Sequence, residues 1–217
     1  TFTRGRWYAN EDDKGLIMCS WPNGGLNEKW YKAWQFKYFN ECMSGFEWQA
    51  AAHMISEGLV EEGMAVSRVI HDRYEEHLRN PYNEIECSDH YSRAMASYGA
   101  FIAASGYESH GPQGYLGFAP KVRNDDRFKC AFTAAGAWGS YEETSKGEQF
   151  DASISVKWGS LQLKSLGLEL PTTASSVTVT LGGRALTASL QTIKGKRRVV
   201  LDEGIALQRG QALTVQV

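Results

Sequence analysis

The chain has no apolar run long enough to cross a bilayer, so no membrane span is expected. It has no excess of either charge. A formal net charge of -2 over 217 residues gives no field to attract nucleic acid or an anionic membrane. It has no paired cysteine spacing. Cys19, Cys42, Cys87 and Cys130 are scattered, which suggests buried free thiols and no zinc or redox site. The given sequence opens on no secretory-signal pattern and reads with no internal repeat and no low-complexity segment. It has no GxSxG, no phosphate loop, no GxGxxG and no Cys beside a His, so triad hydrolysis and nucleotide binding have no signature here. Thr1 in place of Met leads to the expectation of a processed product or a piece of something longer. A terminal threonine is a nucleophile in some amidohydrolases, but TFTRGRW adds no supporting pattern.

What is present falls into two regimes that meet near residue 120. The first is aromatic and helical, with Trp7, Trp21, Trp30, Trp34 and Trp48 near its start. WPNGG at 21–25 reads as a turn. A helix is expected from Ser44, with Ala50, Ala51, Met54, Ile55 and Leu59 at helical spacing and Gly58 as its stop under a packed Leu59. A second is expected over 61–77, with Val66, Val69, Ile70 and Tyr74 on its buried stripe, ended by Asn80-Pro81. A third should start at Ser88, bury Tyr91, Met95, Tyr98 and Ile102, and stop at Gly106. Helices joined by short turns imply antiparallel hairpins. Beyond 106–120 the segments FKCAFTAA, SISVKW, LQLKSLGLEL, SVTVTL, ALTASLQTI, RRVVL and ALTVQV read as antiparallel strands of a sheet or sandwich. Gly182-Gly183 and Lys194-Gly195 read as hairpin turns. The expected class is α+β and multidomain, with a helical part at 1–119 and a β-rich part at 120–217.

The densest polar stretch is NPYNEIECSDHYSR at 80–93. It sets Glu84, Glu86, Asp89, His90 and Arg93 where a loop should run into a helix. Glu84 and Glu86 point the same way if the segment is extended, and Asp89 can pair with Arg93 along the helix. A carboxylate and a guanidinium at a pocket mouth grip a polyhydroxylated ligand, one accepting and one donating. The same groups could instead form an ion network that pins the loop to the helix start. Glu47 and Trp48, opening the Ala-rich helix, could face a pocket with the indole as a sugar platform; otherwise they are a first-turn acid and a core aromatic. His53 reads as a core histidine, and His90 as either a brace or a ligand contact. Trp138 and Trp158 read as sandwich core, with a carbohydrate-binding face as the alternative.

From WPNGG through SGFEWQAAAHMISEGLVEEG and HDRYEE to NPYNEIECSDHYSRAMASYG, roughly residues 17–120, the chain resembles the C-terminal part of glycoside hydrolase family 116. That family includes non-lysosomal glucosylceramidases and bacterial β-glucosidases and β-xylosidases. The resemblance implies the closing helical hairpins of an (α/α)6 toroid followed by an antiparallel β-region. It implies retaining hydrolysis of β-glycosides through a covalent glycosyl-enzyme, with no metal or cofactor. Glu84 and Arg93 would then hold the sugar, while Glu47, Trp48 and His90 line or brace the pocket. No position here matches the family's nucleophile or acid/base, so the catalytic pair is expected upstream, and the chain alone is expected to be inactive. The implied partners are a β-glycoside substrate and the remainder of the same enzyme, as an upstream segment or a partner subunit. Ser88 and Ser92 depart from the family's commoner residues, and KWYKAWQFKYFNEC before SGFEW is insertion-like. Two other readings stay open: a non-catalytic carbohydrate-binding or assembly subunit, and an inverting glycosidase or phosphorylase of toroid fold that uses Glu47 and Glu84 directly.

Overall fold

The structure, a computed structural model, describes residues 13–18, 41–84 and 93–217. It is α+β and divides into two units, Thr1–Ala104 and Ser105–Val217. The WPNGG turn, four of the early tryptophans (Trp7, Trp21, Trp30, Trp34), Cys19, Cys87, the Ser88 cap, Glu86, Asp89, His90 and Tyr91 lie outside the described residues.

In the first unit α1 spans Ser44–Ser56 and α2 spans Val60–Arg73. The expected stop of α1 is where the chain turns. Gly58 takes φ 91; its N–H donates to Ile55 O at 3.2 Å, and the Leu59 N–H donates to Met54 O at 2.8 Å. This pair of bonds satisfies the last carbonyls as in a Schellman motif. Leu59 does not pack back; it is exposed. The buried stripe of α1 is Ser44, Glu47, Ala51 and Ile55, and His53 lies off it. His53 is therefore exposed, not core, and sits 3.8 Å from Glu57. The two helices approach closely at Gly63, where a Cβ would meet Ile55 Cγ1 at 2.6 Å and Ala51 O at 2.8 Å. The end of α2 comes earlier than Asn80-Pro81 would place it. Tyr74 N–H bonds back to His71 O at 3.0 Å, a tighter bond that closes the last turn, and a further turn follows at 76–78. A 3₁₀ turn over Arg93–Ala96 leads into α3, Ser97–Ser105. Met95 is 83 % exposed and Tyr98 is also exposed, so the expected stripe of the third helix is not a buried one. The turn Arg93–Ala96 is 3₁₀, with three residues per turn, which rotates Met95 away from the face that α-helical spacing assigns it.

The second unit holds ten strands: β1 Glu108–His110, β2 Tyr115–Phe118, β3 Arg127–Ala134, β4 Ala137–Lys146, β5 Gln149–Leu168, β6 Thr178–Leu181, β7 Arg184–Leu186, β8 Ala188–Ile193, β9 Lys196–Gln208 and β10 Ala212–Gln216. SISVKW and LQLKSLGLEL are one strand, the 20-residue β5, which runs through both halves of the sheet. Its first part pairs with β4 and β10, and its second with β9 and β2. The β2–β5 pairing is parallel, so the sheet is mixed and not purely antiparallel. Both hairpin turns sit where expected. Gly182 and Gly183 (φ 57 and 83) join β6 to β7, and Lys194 and Gly195 (φ 51 and 76) join β8 to β9; positive φ at both central residues matches the right-handed twist of the flanking strands.

Both halves feed one core that includes Leu116, Phe118, Phe132, Tyr141, Phe150, Ile154, Leu163, Leu166, Val199, Leu207 and Leu213. Glu143 is buried at its edge. It accepts from Tyr141 Oη at 2.5 Å and faces Arg123 at 2.8 Å. Burial pushes its carboxyl above the ordinary value, and the Tyr141 bond and Arg123 charge only partly offset this. The folded chain thus holds this proton to higher pH than the unfolded chain. Stability contributed here is full at or below the ordinary carboxylate value and falls as pH rises towards the raised one. Urea midpoints measured between about pH 4 and 8 should fall less steeply with pH in Glu143→Gln; parallel curves would refute the assignment. Burial also raises the Cys42 thiol, and lifts that of half-buried Cys130 to about 12, so neither is poised to react.

Candidate functional site

Trp48 from α1, Ile70, His71 and Tyr74 from the end of α2, Pro81–Glu84 (81–84) from the following turn, and Met95 and Ser97 line one cavity of about 580 Å³. Each part has a local cause. Ile70, His71 and Tyr74 share a helix face through spacings of three and four. The turn over 80–83 is closed by Tyr82 N–H donating to Asn80 Oδ1 at 2.9 Å and Asn83 N–H donating to Asn80 O at 3.2 Å. That places Asn83 and Glu84 at the wall directly after the turn. The volume lies within the range typical of small-molecule sites. The wall carries an indole, an imidazole, two phenols, a carboxamide and a carboxylate. Such groups can hold a polyhydroxylated molecule: the indole covers an apolar ring face, and the others donate to and accept from hydroxyls.

Of the residues singled out from the sequence, Trp48 and Glu84 therefore share a wall. Arg93 is not among the lining residues; its guanidinium lies 4.5 Å over the Phe46 ring, a cation–π contact. His90 lies outside the described residues. Glu47 is 1 % exposed and is not among the lining residues. Arg73 donates to both its oxygens, to Oε1 at 2.9 Å, and the Leu16 N–H donates to Oε1 at 2.7 Å. Arg73 also donates to Lys14 O at 2.9 Å. Burial works against the Arg73 charge, but the Glu47 bond and charge outweigh it and hold the guanidinium above its ordinary value. This acid clamps the segment 14–16 to both helices. His71 and Tyr74 as wall residues were not read from the sequence. The signal available was their i, i+3 spacing immediately before the polar stretch.

The second unit has a smaller cavity of about 370 Å³ beside Glu108, Tyr115, Lys121, Glu169 and Lys196. Tyr115 Oη and Lys196 Nζ donate to Glu108 at 2.8 and 2.6 Å, and Arg198 lies 4.0 Å over the Tyr115 ring. The Lys196 bond holds the Glu108 carboxyl below its usual range despite partial burial, while burial and Glu108 push Tyr115 up to about 12. With both carboxylate oxygens engaged, this cluster braces β1 and β2 against β9. Among the described residues no group of three His, Cys, Asp or Glu converges to hold a metal, and no helix is long and apolar enough to cross a membrane.

No protein-family model matches the chain, and no curated protein matches it by sequence. Two solved structures with some likeness are glycoside hydrolases. One is a family 127 β-L-arabinofuranosidase from Geobacillus stearothermophilus T6, with 17 % identity and a TM-score of 0.32 over 57 % of this chain and 17 % of that one. Another is an α-L-rhamnosidase from Dictyoglumus thermophilum, with 13 % identity and a TM-score of 0.32 over 61 % of this chain and 15 % of that one. The chain thus spans well under a fifth of the length of either structure.

Proposed function

We propose that the chain is part of a retaining β-glycosidase of the family 116 type, and that the cavity beside Glu84 holds one sugar ring of the substrate. The observation that carries this is the shared wall: Trp48 and Glu84 come from separate elements and line the same hollow. The motif NPYNEIECSDHYSRAMASY supports the family assignment. In this reading Glu84 accepts from two sugar hydroxyls, Trp48 covers a C–H face, and His71 and Asn83 complete the hydrogen bonding. The nucleophile and acid/base, which retention requires about 5–5.5 Å apart, come from another part of the enzyme. In this reading Glu47 stays outside that pair, since its oxygens bond to Arg73 and the Leu16 N–H.

A glucose-configured iminosugar titrated calorimetrically into the chain tests the site. Glu84→Gln removes a charged acceptor, and hydrogen bonds to charged groups contribute about 1.5–3 kcal/mol, so affinity should drop about 10- to 100-fold with the circular dichroism spectrum unchanged. Arg93→Ala should weaken binding less, because its guanidinium lies over Phe46 and not in the cavity wall. Equal affinity of Glu84→Gln and the unaltered chain would remove the assignment.

A further inference from the structure

The sheet half formed by β3, β4, β5 and β10 has an inner face of Phe132, Ala137, Tyr141, Phe150, Ala152, Ile154 and Val156, all buried. Its outer face differs sharply. Along the ladders it presents Thr133, then Ala131, Ser140, Ser155 and Ala212, then Lys129, Glu142, Ser153 and Thr214. Two large apolar side chains stand on it: Trp138 at 50 % exposure and Trp158 at 55 %. They are direct partners in the β4–β5 register, which brings their Cβ atoms to about 4.5–5.5 Å.

A bulge on β5 puts the second beside the first. Alternation along Ile154, Val156 and Trp158 assigns the second indole to the core. The register slips next to Trp138, where Trp138 pairs with Trp158 but Gly139 pairs with Val156. Lys157 is the extra residue, so the side-chain phase reverses and Trp158 turns outward beside Trp138. The core expectation fails for Trp158 for this reason, and for Trp138 because the regular alternation of β4 turns Ala137, Gly139 and Tyr141 inward and Trp138 outward. Gly159 then takes φ 79, where β5 passes from one half of the sheet to the other. The fold thus carries the Trp158 indole out of an otherwise apolar strand phase and sets it beside Trp138 in a field of hydroxyls.

The chemistry of the surroundings selects the occupant. A protein partner wants an apolar interface core around its aromatic anchors, and here the neighbouring rows are Ser, Thr and Ala. An anionic membrane wants a basic cluster, and here Lys129 is neutralised by Glu142 at 2.5 Å. A pyranose with equatorial hydroxyls matches both features: its C–H faces stack on indoles, and its hydroxyl edges bond to Ser, Thr and carboxylate. We propose that Trp138 and Trp158 form a platform that binds a polysaccharide of glucose- or xylose-configured rings, a second sugar site separate from the cavity of the first unit.

Affinity electrophoresis of the full chain through gels holding mixed-linkage β-glucan or xylan reads this directly. The chain should be retarded. Trp138→Ala and Trp158→Ala should each weaken retention about tenfold or more, since buried tryptophans dominate such contacts, and the double variant should migrate freely. Trp→Phe at either position should retain part of the binding, which separates loss of the platform from loss of fold. Glu84→Gln should be retarded as strongly as the unaltered chain, so this result stands or falls apart from the cavity assignment. Retention of the double variant overturns the proposal, as does free migration of the unaltered chain in both gels. A concentration-dependent dimer that the double variant loses, without polysaccharide binding, overturns it in favour of contact between two copies.

Discussion

Glu47→Ala is expected to destabilise the helical unit by about 3–5 kcal/mol, the cost of leaving a buried charge without its partner. The side chains of Arg73 and Glu47 are 5 % and 1 % exposed, so water cannot replace the lost carboxylate. The same change strips the Leu16 N–H of its acceptor. Arg73→Ala should cost a similar amount and also leaves Lys14 O without its donor. The paired replacement Glu47→Leu with Arg73→Met should recover most of the loss, because apolar groups of similar volume need no desolvation offset. Urea unfolding followed by the helical circular dichroism signal gives the four corners of the double-mutant cycle. Single-variant losses below about 1 kcal/mol would match an exposed pair and contradict the buried geometry.

That clamp also shows where sequence reading reaches its limit. A first-turn glutamate beside an indole reads equally well as a pocket wall or as a helix-end charge, and the deciding partner lies 26 residues away. Trp48 and Glu84 could be read as site candidates because their types suit a sugar and their segments flank short turns. The start and stop of α1 were legible from Gly58 and the apolar spacing. The stop of the third helix at Gly106 was legible too; its buried stripe was not, because Met95 and Tyr98 keep helical spacing on a surface that stays exposed. In the second unit alternation marked most strands. It missed the short β1 and β2, ran β7 and β8 together as ALTASLQTI, and missed β4, whose inner face includes Gly139 and Glu143 beside Ala137 and Tyr141; a glycine and an acid in inward positions break the binary pattern. It also divided β5 at Trp158-Gly159, since no local rule reveals a bulge whose register depends on the neighbouring strand.

Phe118→Ala is the second change expected to act strongly, with a loss of about 3–5 kcal/mol in the β-rich unit. Phe118 is 1 % exposed. Its ring stacks on Tyr141 with centroids 3.9 Å apart and planes 2° apart, and meets Phe132 edge-on at 6.3 Å. It sits on β2, whose parallel pairing with β5 brings no tight turn to hold the two strands together. Removing the ring opens a void against Tyr141, whose hydroxyl donates to buried Glu143. Water entering that void hydrates the carboxyl and lowers the desolvation that raises its pKa. Two readings should therefore move together: the urea midpoint falls, and the loss of stability with rising pH becomes shallower, as in Glu143→Gln. Phe118→Leu keeps most of the volume and should cost much less, with the pH slope nearly intact. A large drop in midpoint with an unchanged pH slope in Phe118→Ala would mean that Glu143 is buried by other parts of the core, and that the aromatic stack holds β2 in place without setting the charge state beneath it.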